Sequence, residues 1–390
     1  MKIFIGLAEV ANTTWNYIKA FQTLGHQTYS VVWNRNPFYP EAIYDVVLSD
    51  IVPNSPQPGN NDWKKVCKAR VLAALNLVKA SDCDVFLFAY GSSFLPAYLD
   101  YALLKGLGKR LVSVFWGSDI RFWYAFEQEM SQMGVAEEVQ PFTAFSRSQR
   151  VSYFRLQRRV AAAERYADLI LSQPGFGQLQ RRPYMRANIP IDLSQFRAEV
   201  PDRAVPLVIH APSRRDTKGT HYVLAAVEQL KAEGVPFEFR LIENMPNVEV
   251  RQLLTDTDIV VDELYSETIG MLSTEAMASG CVTLTRYFAE YAGVASGCPA
   301  INVNNVTLAE ELRRVIVDRD IRRRLAEAGR PYVAAHHDHV KVAQQILDWL
   351  QPGGIPQYDF TPTFYQQLQV PPEVLAEERR KGRWWDLFIT

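Results

Sequence analysis

The sequence lacks any run of about 18 apolar residues free of charge, so no transmembrane helix is expected. Cysteine is scarce: Cys67, Cys83, Cys281 and Cys298 are scattered, with no C-x-x-C pair. That spacing excludes a thiolate zinc site and fits cysteines used as small apolar residues in a reducing compartment. Net charge is nearly absent, at −1 from 42 Lys and Arg against 43 Asp and Glu, so no global field calls for nucleic acid. The fingerprint G-x-G-x-x-G is missing from the first strand–helix turn, where Gly6 stands alone; this argues against NAD. No carboxylate pair for a metal, such as D-x-D at a strand end, stands out, so no metal or cofactor is expected. The opening segment Met1–Gly6 has a short apolar run and no small-residue cleavage site, so it reads as a strand rather than a signal peptide. A cytoplasmic protein is expected.

What the chain does have is length and apolar content. Its 390 residues exceed one ordinary core and predict two domains of about 150–200 residues each. A hydrophobic content of 48% supports full globular folding. Strand and helix patterns alternate from the start: strand Lys2–Gly6, helix Thr14–Leu24, strand Thr28–Trp33. This βαβ opening predicts a parallel sheet. Helix Trp63–Ala80, strand Asp84–Phe88, helix Phe94–Leu104 and strand Arg110–Phe115 continue it. Pro190–Pro206, with three prolines beyond any periodicity, reads as an interdomain linker. The second domain starts with strand Leu207–His210. It ends with helices near Leu308–Asp318 and Asp320–Ala328 and a long final helix near Pro331–Leu350.

The most informative stretch is Asp258–Gly280, DIVVDELYSETIGMLSTEAMASG. The apolar run Ile259–Val261 reads as a buried strand. A loop with Glu267 and Gly270 leads into a helix, Met271–Ala278, which contains Glu275 and is closed by Gly280. Two carboxylates thus flank a glycine turn at the carboxyl end of a strand, where open α/β sheets bind ligands. A helix N-terminus offers N–H groups and a positive dipole end, which suits a phosphate. Gly270 lets the backbone approach closely. A second such turn, Ala211–Thr220, places Arg214, Arg215 and Lys218 at a strand mouth, which is what a diphosphate needs.

Glu267, seven residues, Glu275 and then the tail EAMASG resemble the E-x7-E signature of retaining glycosyltransferases of the glycogen synthase and sucrose synthase type, the family-4-like group. The resemblance implies two doubly wound Rossmann-like α/β domains facing each other across a cleft, the GT-B fold. It places an acceptor domain at 1–190, a nucleotide-sugar donor domain at 206–350, and a tail at 351–390 that crosses back to the first domain. It implies a metal-independent transfer of a sugar from a nucleotide-diphospho-sugar to an acceptor, with the saccharide, lipid or small-molecule class of that acceptor open. Glu267 would lie beside the donor sugar and Glu275 would hold the ribose. Lys218-Gly219 matches the family's diphosphate-binding turn. The family's arginine stands five or six residues before the lysine, whereas Arg214 is four before it; Arg214 is preferred to Arg215. Ile269, Gly270 and Met271 complete the donor side. A nucleotide-sugar epimerase or hydrolase on the same fold, or a nucleotide-binding protein without transfer, are the alternatives, because fold does not fix function.

In the first domain the resemblance is looser. Glu9 and Asn12, in the first turn, read either as cleft residues that meet the acceptor or as a solvated helix start. Many relatives place a histidine at the end of the strand that here ends Val114-Phe115-Trp116. The Trp116 indole is a donor only and cannot shuttle a proton. Trp116 then forms an apolar wall for sugar or acceptor, and Asp119 supplies the catalytic polar contact nearby. Asp119 and Arg121 read either as ligand groups or as a capped turn with a local ion pair. The basic stretch Arg147–Arg165 reads as a solvated helix face, with contact to anionic lipid as the alternative. His336, His337 and His339 lack the i, i+4 pairing of a helical metal site and read as a surface cluster.

Overall fold

The computed structural model describes residues 1–52, 63–132, 152–173, 179–197, 200, 203–266, 268–287, 296–362 and 369–381. The chain divides into two compact units: the first from Met1–Glu129, Ser146–Ala187 and Ala343–Thr390, the second mainly from Asn188–Val342. Among the described residues no helix is long and apolar enough to cross a membrane.

The first unit is built on seven parallel strands in the order β3-β2-β1-β4-β5-β6-β7. They are β1 Lys2–Leu7, β2 Gln27–Val32, β3 Val46–Val47, β4 Val85–Ala89, β5 Arg110–Val114, β6 Leu169–Ser172 and β7 Met185–Arg186. Parallel strands covered by helices on both faces read as unbroken apolar runs; Val85-Phe86-Leu87-Phe88-Ala89 is buried at every position. Rings of Phe4, Phe86, Phe88 and Phe94 pack against one another in this core. The order reverses between β1 and β4, so the loops after these two strands lie side by side at a topological switch point. Carboxyl-terminal residues complete the unit: Phe360 exchanges backbone hydrogen bonds with Tyr184, and Glu378 is buried against Trp123 and Tyr153.

The second unit holds five parallel strands in the order β12-β11-β10-β8-β9. They are β8 Leu207–His210, β9 Glu238–Leu241, β10 Ile259–Val261, β11 Val282–Thr285 and β12 Ile301–Asn302. Here the order reverses at β8, which lies between β9 and β10. The loops leaving β8 and β10 therefore meet at this sheet's switch point.

Two differences from the sequence reading have physical causes. The two-residue edge strands β3 and β7 are too short to show any periodicity. The long final helix is in fact two: Arg319–His336, which has absorbed the Asp320–Ala328 segment and carries Pro331 inside it, and His339–Trp349. The break comes where the chain leaves the helix to pair with Ile191, whose N–H donates to His337 O (2.7 Å) and whose carbonyl accepts from His339 N (2.9 Å).

Candidate active site

The loop after β8 passes Arg214, makes the short helix Arg215–Lys218, and turns at Gly219 into the helix Thr220–Ala232. Gly219 has φ +70°, and a Cβ there would stand 3.1 Å from Leu264 Cβ. Conformation and space therefore both call for glycine. The loop after β10 carries Asp262 and Glu263 and ends at Gly270, where the helix Met271–Ala278 begins.

These two loops are locked together by charge. Lys218 Nζ lies 3.0 Å from Asp262 Oδ1 and 3.0 Å from Glu263 Oε2. The other Asp262 oxygen accepts from the Ser273 N–H (3.1 Å) and hydroxyl (2.6 Å), so it caps the first turn of Met271–Ala278 from outside. Burial pulls the Lys218 ammonium down, but Asp262 and Glu263 outweigh it and raise it above its ordinary value. Burial pushes the Asp262 carboxyl up; Lys218 and Ser273 outweigh that and hold it low. A Cβ on Gly270 would sit 2.7 Å from Glu263 Oε1 and 3.2 Å from Asp262 Oδ2. The atoms closest over this glycine are thus the protein's own carboxylate oxygens. The sequence reading passed over both, although they directly follow the buried strand Ile259–Val261 at its carboxyl end.

Glu275 is buried and accepts from Asn247 Nδ2 at 3.1 and 2.9 Å, while Asn247 Oδ1 accepts from Arg251 (2.7 Å). Asn247 opens the helix Asn247–Leu254, so Glu275 is oriented by a third loop of the same sheet edge. Ile269 is buried and Met271 half-buried at the helix start. Arg215 is committed to Glu243 through two hydrogen bonds (2.7 and 2.5 Å), and Arg214 stands exposed beside it. Glu267 lies outside the described residues. His210 is fully buried; its Nδ1 is 2.8 Å from Val261 O and its Nε2 2.9 Å from the Thr220 hydroxyl. A carbonyl only accepts, so Nδ1 carries the proton and Nε2 accepts. Burial lowers the pKa of this imidazole, which joins β8, β10 and the helix Thr220–Ala232 as a packing group.

At the switch point of the first sheet, Glu9 is folded against the start of the helix Thr13–Thr23. Its Oε2 accepts from the Tyr44 hydroxyl (2.6 Å) and the Trp15 N–H (3.2 Å). Burial pushes its carboxyl up to about 7, against these hydrogen bonds. Asn12 is buried beside it with φ +66°. Among the described residues, five of the six non-glycine residues with positive φ, Ala11, Asn12, Tyr90, Ala97 and Tyr98, lie in the connections after β1 and β4. Strained backbone of this kind gathers where surroundings over-determine a site.

After β5, Asp119 takes a different part from the one its sequence position suggests. It is fully buried, and its carboxylate accepts from the N–H groups of Trp116 (3.2 Å) and Gly117 (2.7 Å). Burial pushes it up to about 6, with Arg159 opposing. Asp119 therefore closes its own turn. Arg159, from the helix Tyr153–Tyr166, donates to the Asp119 backbone carbonyl, while the Arg121 guanidinium lies 5.0 Å from the Phe126 ring centre. Arg159 is buried, so the basic stretch is not a uniform solvated face; its 147–151 part lies outside the described residues. Trp116 is half-buried. His337 Nδ1 is hydrogen-bonded to Ile189 O (3.1 Å), and among the described residues no group of three or more His, Cys, Asp or Glu is placed to hold a metal.

Residues 207–348 match the family model described as glycosyl transferase-like. No curated protein matches the chain in sequence. Among solved structures, a sucrose-phosphate synthase from Thermosynechococcus elongatus is similar with a TM-score of 0.63 at 14% identity, over 89% of this chain and 97% of that one. HepE of Anabaena, solved with UDP, gives 0.57 at 14% identity over 90% and 99%. An alpha-glucosyltransferase solved with UDP and a 13-mer DNA gives 0.56 at 13% identity over 90% and 100%. The chain has the α/β fold of the GT-B glycosyltransferases. Within it, residues 207–348 form a glycosyl transferase-like domain, the half that carries Lys218 and Glu275.

Proposed function

We propose that the chain is a retaining glycosyltransferase that moves a sugar from a nucleotide-diphospho-sugar to an acceptor hydroxyl. The observation that carries this reading is the meeting of Lys218, Gly270 and the start of the helix Met271–Ala278 at the switch point of the five-stranded sheet, inside the glycosyl transferase-like domain. Structures of similar fold were solved with UDP and UDP-glucose, which supports a nucleotide-sugar donor.

In the proposed reaction the bond between the anomeric carbon and the diphosphate oxygen breaks. A glycosidic bond forms to the acceptor oxygen on the same face of the sugar. The leaving phosphate oxygen takes the acceptor proton, and the nucleoside diphosphate departs. No metal is assigned a part; Lys218, Arg214 and the helix N-terminus meet the diphosphate charge, and stabilising a leaving charge is usually the largest single catalytic effect. Glu275, held by Asn247, accepts from the ribose hydroxyls, and Glu267 positions the sugar. Trp116 offers an apolar wall, while Asp119 keeps that wall's turn in shape. Glu9 and Asn12 lie on the acceptor side.

A nucleotide-binding protein without transfer is the second reading, favoured by the two carboxylates already on Lys218 and by Trp116 at the position where the resemblance implies a histidine in many family members. Calorimetry with UDP, GDP and ADP, followed by mass spectrometry of pooled nucleotide-sugars and acceptors, separates the two. A glycosylated product supports transfer. Binding without product under every pair supports the second reading, and the absence of any nucleotide binding overturns both.

A further inference from the structure

The cradle that suits a phosphate is filled by side chains of the protein itself. Lys218 is neutralised twice over, and the group Lys218, Asp262 and Glu263 carries one net negative charge where a diphosphate is expected to arrive. A like charge at such a site costs several kcal/mol. One carboxylate must therefore yield if an anion is to reach Lys218.

The two acids are held differently. Asp262 has a side chain 1% exposed and bonds to Lys218, the Ser273 N–H and the Ser273 hydroxyl, so moving it uncaps the helix Met271–Ala278. Glu263 has a side chain 18% exposed, and Lys218 beside it is 17% exposed, so this edge of the triad reaches solvent. The Glu263 backbone is pinned: its carbonyl accepts from Arg286 N (2.7 Å) and the Thr285 hydroxyl (3.2 Å). The Lys218 backbone is pinned too, its carbonyl accepting from Leu264 N (3.3 Å). Of the two carboxylates, the Glu263 side chain is the one at the solvent-reaching edge. Its Oε1 already rests over Gly270, the point where a ligand would approach the backbone.

We propose that Glu263 is an exchangeable counter-ion of Lys218, which a ligand's diphosphate displaces, while Asp262 stays as the permanent anchor. The proposal rests on the donor reading above and adds a residue that sets how tightly, and with what charge selectivity, the site fills. Glu263 holds the Lys218 ammonium in place and ranks ligands by charge: a group must bring more negative charge than one carboxylate to replace it. A diphosphate meets that condition and an uncharged nucleoside does not engage it.

The test is calorimetry on the full chain with three probes: inorganic pyrophosphate, UDP and uridine. Glu263→Gln keeps the side-chain length and removes the competing charge. It is expected to bind pyrophosphate and UDP on the order of tenfold more tightly than the wild type and uridine equally well. Glu263→Ala should give the same direction, and thermal melts establish that both variants fold. Lys218→Ala in the Glu263→Gln background should abolish the gain. Equal or weaker diphosphate binding by both Glu263 variants overturns the counter-ion exchange while leaving the nucleotide reading intact. Tighter pyrophosphate with no binding of UDP or uridine supports the exchange and overturns the nucleotide reading. No binding of any probe to any variant overturns both.

Discussion

Arg159 donates to the backbone carbonyl of Asp119, and through Nε to the Tyr98 hydroxyl (3.1 Å), from a buried position. It ties the turn after β5 to the loop after β4, and it leaves room for no side chain at Gly91, where a Cβ would lie 2.2 Å from Arg159 Cδ. Hydrogen bonds made by a charged group to buried acceptors contribute about 1.5–3 kcal/mol. Arg159→Ala should lower stability by that order and push the Asp119 carboxyl above about 6. Chemical denaturation measures the first and NMR titration the second. A loss under 1 kcal/mol would mean that the arginine is a surface residue in solution.

Glu9 predicts a pH dependence. Its carboxyl is pushed from an ordinary 4.5 to about 7 by burial. The folded chain thus holds a proton that the unfolded chain has released, and stability falls as pH rises from about 4.5 to about 7. Glu9→Gln keeps an acceptor for Tyr44 and carries no charge. It should gain on the wild type across that window by about 1.4 kcal/mol per unit of pKa shift. Melting both proteins at pH 5 and pH 7.5 reads the difference; a gap that does not change with pH contradicts the buried carboxyl.

Asn247 is expected to act on nucleoside binding through Glu275. Asn247→Asp places a second carboxylate within hydrogen-bond distance of Glu275, and like-charge contact of this kind costs several kcal/mol. Uridine and UDP should weaken by the same factor, since the proposed partner is the ribose. Lys218→Ala should instead spare uridine and weaken UDP by about 1.5–3 kcal/mol, the range for a hydrogen bond to a charged group. Calorimetry on both ligands checks the pattern, and a reversal of it would exchange the two assignments.

Glu378 anchors the carboxyl-terminal helix Pro372–Lys381 within the first unit. It accepts from the Trp123 indole N–H (2.8 Å) and the Tyr153 backbone N–H (2.7 Å) and is fully buried. Glu378→Ala leaves two buried donors facing no acceptor, at a cost of about 1.5–3 kcal/mol. Glu378→Gln, which keeps one acceptor oxygen, should lose less. Denaturation followed by tryptophan fluorescence gives both values; equal losses would show that the charge itself is what matters.

The sequence by itself determined the repeating strand–helix order, the strands Leu207–His210 and Ile259–Val261, and the helix Met271–Ala278, because apolar runs and caps act over a few residues. It also placed Lys218, Gly219 and Gly270 in the turns of one sheet edge, and Glu275 on the helix that follows, since strand ends are legible once the strands are. Only the tertiary structure decided their partners. Asp262 lies 44 residues from Lys218, Asn247 lies 28 from Glu275, and Arg159 lies 40 from Asp119. Such contacts follow from strand order, which local pattern does not encode. The same reason turned Asp119 from a group expected to face substrate into one that closes a turn: a carboxylate's direction is set by the N–H groups folded around it. It also explains why the helix predicted through His337 breaks there, where a backbone partner 146 residues away, Ile191, competes for the helix's own hydrogen bonds.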